Sequence, residues 1–241
     1  MNQPLPERRR TVLVLHGGGG PTSVAGLSAR LGRHAEVTAP TLPGWNGTPR
    51  ADSLDRIAAY AARFSAELAA RGARDVLVVG SSVGGWIAAE MGVQDVTGTV
   101  TGLVLINPLG VLVPGQPIRN VSGLSPGDLA QIAFHDPAKL AAGAPPPTAE
   151  SRAIVHANQA TLAAIAGEPY MNDPTLLERL RAVAVPTLVI WGESDGIVST
   201  EYGRAYAAAF PNGRFELVRA AGHLPQLEQP EETARLIEAA C

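Results

Sequence analysis

Cysteine is almost missing from this chain: Cys241 is the only one among 241 residues. One thiol cannot close an intrachain disulfide, and it excludes a cysteine-based metal cluster. Long apolar runs are missing too, and none approaches the roughly 18 residues that a membrane helix needs. Met1 to Arg10 contains no apolar stretch of the kind a secretory signal carries. These absences lead to the expectation of a cytoplasmic protein with no membrane partner. Charge of one sign is also lacking, since 19 Lys and Arg stand against 22 Asp and Glu, a formal charge of −3. A general nucleic-acid binder usually shows a basic face, so nucleic acid is not expected as a partner. The one dense basic run, "ERRR" at 7–10, reads as a solvated lead-in to the first strand.

What is present is alternation. "TVLVLHG" (11–17), "EVTAP" (36–40), "DVLVVG" (75–80), "GLVLIN" (102–107), "TLVIWG" (187–192) and "RFELV" (214–218) are short runs rich in Val, Leu and Ile. Most are continuous rather than alternating, which fits strands buried on both faces of a parallel sheet. Between them lie helical patterns. In 53–70, Leu54, Ile57, Ala61, Phe64 and Leu68 recur at three- and four-residue spacing, with Asp52 or Ser53 as cap and Gly72 as stop. The fold expected is α/β, a mostly parallel, doubly wound sheet of about six strands. A length of 241 residues suits one sizeable core.

The rhythm breaks between Leu109 and Ala184, where no strand is evident. Ser125-Pro126, Asp136-Pro137 and Asp173-Pro174 each pair an N-cap residue with a proline at the first helical position, and Thr148 can cap a further helix after "APPP". The expected organisation is a core of residues 1–108 and 185–241, with a helical cap, or lid, at 109–184. A helical excursion without a role at the site is the plainer alternative.

Gly80-Ser81-Ser82-Val83-Gly84 is a G-x-S-x-G sequence with a strand before it and a helix after it. A sharp strand-to-helix turn exposes the central serine oxygen, and only small residues fit beside it. A serine hydroxyl needs a base. Of five histidines, His223 follows the last strand, at the same carboxyl edge as the serine turn, whereas His34 lies at the opposite edge and His135 and His156 fall in the insert. The base needs an acid to hold its tautomer. Asp195 follows the strand at 187–192, with Glu193 as its nearest rival. An oxyanion needs preorganised N–H donors. Val83, the residue after the serine, supplies one, and Gly18 of "HGGGGP" (16–21) supplies the other, with Gly19 as the alternative. No lysine follows these glycines, as a phosphate loop would require, and no acid ends the second strand, as dinucleotide binding would require. Neither a cofactor nor a metal is called for.

"VLHGGGG", "LPGWNG", "VVGSSVGG", "LVLINP", "LVIWGESDGIV" and "AGHLPQLEQP" stand in the order and at the spacing of the α/β-hydrolase superfamily, which the chain resembles along nearly its whole length. The resemblance implies Ser82 as nucleophile, Asp195 as acid and His223 as base of a catalytic triad, with the cap between the family's sixth and seventh strands. It also puts Trp45 near the pocket. The antiparallel pair that often opens the family's sheet is not evident. Ser81 stands where relatives often have histidine, and Leu224 where the carbon–carbon bond hydrolases often have tryptophan. Ser82 excludes the aspartate nucleophile of dehalogenase and epoxide hydrolase relatives.

The expected activity is that of a serine esterase acting on a small to medium, mostly apolar ester or related carbonyl compound. Trp45, Gly19, Phe134, Tyr170 and Leu224 are the candidate substrate contacts. A small molecule is the expected partner, and a monomer or a homodimer fits equally. Two other classes use the same frame: cofactor-free lyases or biosynthetic enzymes, and ligand-binding or signalling proteins.

Overall fold

The computed structural model describes residues 9–142 and 146–240. Glu7 and Arg8 of the basic run, Ala144 and Pro145 of the proline run, and Cys241 lie outside them. Six strands form one sheet: β1 (Thr11–Leu15), β2 (Glu36–Thr38), β3 (Val76–Ser81), β4 (Val100–Ile106), β7 (Thr187–Gly192) and β8 (Gly213–Val218). Their order is β2-β1-β3-β4-β7-β8, and every pairing is parallel. The chain steps outward from β1 to β2 and then returns to the other side of β1, so the order reverses between β1 and β3. In such sheets the carboxyl edge beside the reversal is where ligands bind. The register brings Leu15 opposite Gly80, and Ser81 opposite Ile106. The loops after β1, β3 and β4 therefore open side by side.

The continuous apolar runs serve two cores at once, because side chains alternate across a strand. Leu13, Leu15, Val76 and Val78 face one way, into a core shared with α2 (Ile57–Ala70), α3 (Val83–Gln94) and α8 (Thr200–Ala208). Val12, Val14, Leu77, Val79, Val104 and Ile106 face the other way, onto α1 (Thr22–Leu31) and α10 (Pro230–Glu238). Each such Leu or Val contributes on the order of 2 kcal/mol over an exposed one. The helix α2 starts later than the sequence pattern suggests. Leu54 is buried and its carbonyl accepts from the Arg50 guanidinium, so the chain enters the helix only at Ile57, with neither Asp52 nor Ser53 as cap.

Between β4 and β7 lie α4 (Pro126–Ala133), α5 (Pro137–Ala142), α6 (Ala149–Ile165) and α7 (Leu176–Arg179). Ser125 and Thr148 cap α4 and α6 through their hydroxyl oxygens, as their positions suggest, and the Asp136 carboxylate accepts from Lys139 N ahead of α5. Two features depart from expectation. Gly110–Val111 (β5) and Asn172–Asp173 (β6) form a two-stranded parallel ladder, too short to leave a periodic signal. Asp173 consequently belongs to a strand. Its carboxylate accepts from Thr175 N, and the helix begins only at Leu176.

The tightest junction is the turn from β3 into α3. A methyl at Gly84 would run into the carbonyl oxygens of Leu15 and His16, and one at Gly80 into the Gly84 carbonyl. No side chain can yield there, because the obstacles are backbone. Gly84→Ala is expected to lower unfolding free energy by about 3 kcal/mol, the upper end of the usual overpacking cost, because the obstacles are backbone. Urea unfolding checks this, and an unchanged midpoint would mean that the helix and strand are not in contact.

Candidate active site

Ser82 sits at the apex of that turn with φ 55° and ψ −119°. A residue with a Cβ pays for this conformation, on the order of 1–3 kcal/mol, so the surroundings must enforce it. They do so through backbone bonds: Ser82 N donates to Ile106 O at 2.8 Å, and Trp86 N donates to Ser82 O at 3.1 Å. The effect is to lift the hydroxyl out of the strand at the sheet's carboxyl edge.

Ser82 Oγ lies 2.9 Å from His223 Nε2, and His223 Nδ1 lies 2.7 Å from Asp195 Oδ2. Three residues spread over 142 positions thus form one hydrogen-bonded row. His223 is held after β8 in the loop before α9 (Pro225–Glu228), and Asp195 in the loop after β7. The carboxylate beside Nδ1 places the ring proton there, which leaves Nε2 as the acceptor for the serine O–H. The Asp195 side chain is only 1% exposed. Burial of a carboxylate is costly unless donors surround it. Asp195 has four: Oδ1 accepts from Ile197 N and Val198 N, and Oδ2 accepts from His223 and from Asn107 Nδ2 at 2.7 Å. Glu193, the rival acid, points into solvent.

Asn107 is the residue that sequence reasoning missed. It stands just past β4 with φ 43°, fully buried, and its Oδ1 accepts from Gly192 N at 3.1 Å. That bond fixes which end of the amide faces Asp195. The available signal was a polar residue closing an apolar run in "LVLIN".

The glycine loop after β1 runs beside the serine. A Cβ at Gly17 would come within 2.8 Å of Ser82 Cβ. His16, fully buried, orients this loop. Leu42 N donates to His16 Nε2 at 2.9 Å, so the ring proton is on Nδ1 and donates to Gly17 O at 2.7 Å. In a trans peptide the N–H points opposite to the C=O, so fixing Gly17 O aims the Gly18 N–H away from His16. Among the described residues, the amides of Gly18 and Val83 have no hydrogen-bond acceptor.

Trp45 is corrected from a substrate contact to a prop. It has no exposed surface, its ring packs edge-on against His16 and Tyr60, and its Nε1 donates to Gly18 O at 3.0 Å. The indole needs a partner when buried and finds it behind the glycine loop. Gly19 follows Gly18 in the same turn. Phe134 is half-buried next to Ala133, whose carbonyl accepts from His223 N at 2.7 Å, and Leu224 directly follows His223. The Tyr170 hydroxyl accepts from Val121 N inside the insert. Leu162, on α6, covers the glycine loop, with Cδ2 3.1 Å from the point where a Gly18 Cβ would be. His34 and His156 are exposed, and His135 bonds Ser194 Oγ.

The chain belongs to the alpha/beta hydrolase family, whose model matches residues 12–236. It is 29% identical to the pimeloyl-[acyl-carrier protein] methyl ester esterase of Aromatoleum aromaticum over 252 residues, covering 95% of this chain and 97% of that one. It is 28% identical to the 2-hydroxymuconate semialdehyde hydrolase of Pseudomonas putida over 245 residues, covering 94% and 85%. A thermophilic esterase from Thermogutta terrifontis superposes with a TM-score of 0.76 at 23% identity, covering 96% and 89%, which is a likeness of fold. No described helix is long and apolar enough to cross a membrane.

Burial pushes the His16 imidazole down to about 4 from its ordinary 6.5, against the opposing pull of its bond to Gly17. Between those values the unfolded chain takes up a proton that the folded chain refuses. The contribution of neutral His16 is therefore complete above pH 6.5 and declines as pH falls toward 4, by about 3 kcal/mol in all. His16→Leu, less stable than the native protein at pH 7, is expected to close that gap by about this amount at pH 4. Urea unfolding at both pH values checks it, and a gap that stays constant would show that His16 titrates normally.

Proposed function

We propose that the protein is a serine hydrolase that cleaves a small to medium, mostly apolar carboxylic ester through an acyl-enzyme. The observation that carries this reading is the row Ser82 Oγ–His223 Nε2–His223 Nδ1–Asp195 Oδ2, at 2.9 and 2.7 Å. Ser82 attacks the ester carbonyl carbon while His223 Nε2 takes the hydroxyl proton. The carbonyl oxygen becomes an oxyanion against the Val83 and Gly18 amides. As the C–O bond to the alcohol breaks, His223 returns the proton to the leaving oxygen. Water then attacks the acyl-serine, with His223 again as base, and the acid is released as Ser82 regains its proton. Asp195 keeps the imidazole in the correct tautomer and stabilises its cation without taking the proton.

The insert at 109–184 acts as the cap in this reading. Leu162 over the glycine loop supports an apolar acyl or alcohol group beside the oxyanion site. The name of the 29% identical relative, a methyl ester esterase, points to the same bond class.

Ser82→Ala is expected to abolish both ester turnover and covalent labelling by a fluorophosphonate. Full labelling of that variant would place the nucleophile elsewhere. Asp195→Asn is expected to lower kcat by about 10⁴ without unfolding the protein, because the ring loses its preferred tautomer. Activity on p-nitrophenyl esters of increasing chain length measures both effects. A near-normal Asp195→Asn rate, or no turnover by the native protein across the series, would defeat the reading.

A further inference from the structure

The first helix of the insert ends against the loops that carry Asp195 and His223. Ile132 O accepts from Gly196 N at 2.9 Å, and Ala133 O accepts from His223 N at 2.7 Å. Immediately beyond, the chain meets Glu228 at the end of α9. Oε2 of Glu228 accepts from Gly222 N at 2.6 Å and from His135 N at 3.1 Å, while Oε1 accepts from Asp136 N at 2.9 Å. One carboxylate therefore joins three backbone amides from two chain segments about ninety residues apart. The same turn is pinned again where His135 Nδ1 meets Ser194 Oγ at 2.8 Å, one residue from Asp195.

The two amides preceding and belonging to the histidine are consecutive, and each has its own anchor. Gly222 N is held by Glu228, and His223 N by Ala133 O. With both N–H directions set, the peptide planes on either side of Gly222 are fixed, and so is the direction in which the chain enters His223. Bonds to an ionised acceptor are the stronger kind, and Glu228 supplies them on both sides of the junction. We propose that Glu228 is a positioning residue for His223, fastening the 133–136 turn of the insert to the histidine loop so that the imidazole stays within reach of Ser82. This rests on His223 being the base.

The test uses the full chain with Glu228→Ala, and with Glu228→Gln, which keeps one acceptor oxygen. The readouts are the rate of fluorophosphonate labelling, kcat and KM on a p-nitrophenyl ester per labelled site, and amide hydrogen exchange of the peptide containing Gly222 and His223. For Glu228→Ala, kcat and labelling rate are expected to fall by about 10- to 100-fold, the size of effect that a 1 Å misplacement produces. KM is expected to change by less than about two-fold, since the acyl pocket is untouched. Exchange at 222–223 should quicken, and Glu228→Gln should fall between the two. A purely structural role would reduce the amount of folded protein and leave the rate per labelled site unchanged; that result overturns the proposal. If Glu228→Ala does not fold, a native labelling rate in Glu228→Gln overturns it. A native protein that takes no label removes His223 as base and this proposal with it, whereas a labelled native protein with unaltered variants overturns this proposal alone.

Discussion

The start of α3 touches the ends of β1 and β3 with nothing but backbone between them. Gly84 lies against the Leu15 and His16 carbonyls, and Gly80 against the Gly84 carbonyl. That contact leaves Ser82 no ordinary conformation: it must turn through positive φ to connect strand and helix. The serine hydroxyl, the first free amides of α3 and the glycine loop after β1 are consequently gathered at one edge of the sheet. A looser junction would free the turn to relax, and the hydroxyl would sink back beside the strand.

Around this turn the site is held mainly by neutral groups and backbone amides. His16 stays uncharged and uses both ring nitrogens to tie the β1 loop to the segment after β2. Trp45 holds the Gly18 carbonyl from behind. The charge at the centre of the row is the Asp195 carboxylate, and four donors offset its removal from water. Two donors are amides of its own loop on Oδ1 and two come from Asn107 and His223 on Oδ2, so both oxygens are held and the carboxylate has one orientation rather than several. The imidazole inherits that orientation through its own bond.

The insert is joined to the core at several places by unlike interactions. Near α7, Arg179 forms a two-pronged bond to the buried Glu90 of α3 and a second contact to Asp173 of β6. Near the glycine loop, Asn158 and Asn46 exchange hydrogen bonds, and Thr161 Oγ1 donates to Gly44 O. Near the histidine loop, Glu228 and the Ala133 carbonyl do the fastening. Buried ions and satisfied amides specify geometry more sharply than apolar contact does, since a misplaced partner leaves a polar group unpaired. The insert is thus attached by matched polar pairs as well as by apolar residues such as Ile165, Met171 and Leu176 sunk in the core, while its α4–α6 helices keep much of their own surface in water.

The amino-acid sequence by itself determined the parallel sheet, its six strands and the positions of Ser82, Asp195 and His223. Those are local messages: continuous apolar runs, small residues at a strand-to-helix turn, and a polar residue in a loop at a known edge. Only the tertiary structure decided that Trp45 is buried behind Gly18, that Asn107 completes the shell of Asp195, and that Tyr170 bonds within the insert. It alone brought β5 to β6 and Glu228 to His135. A side chain's role there depends on which way it points and on a partner far along the chain, and neither is written in the spacing of its neighbours.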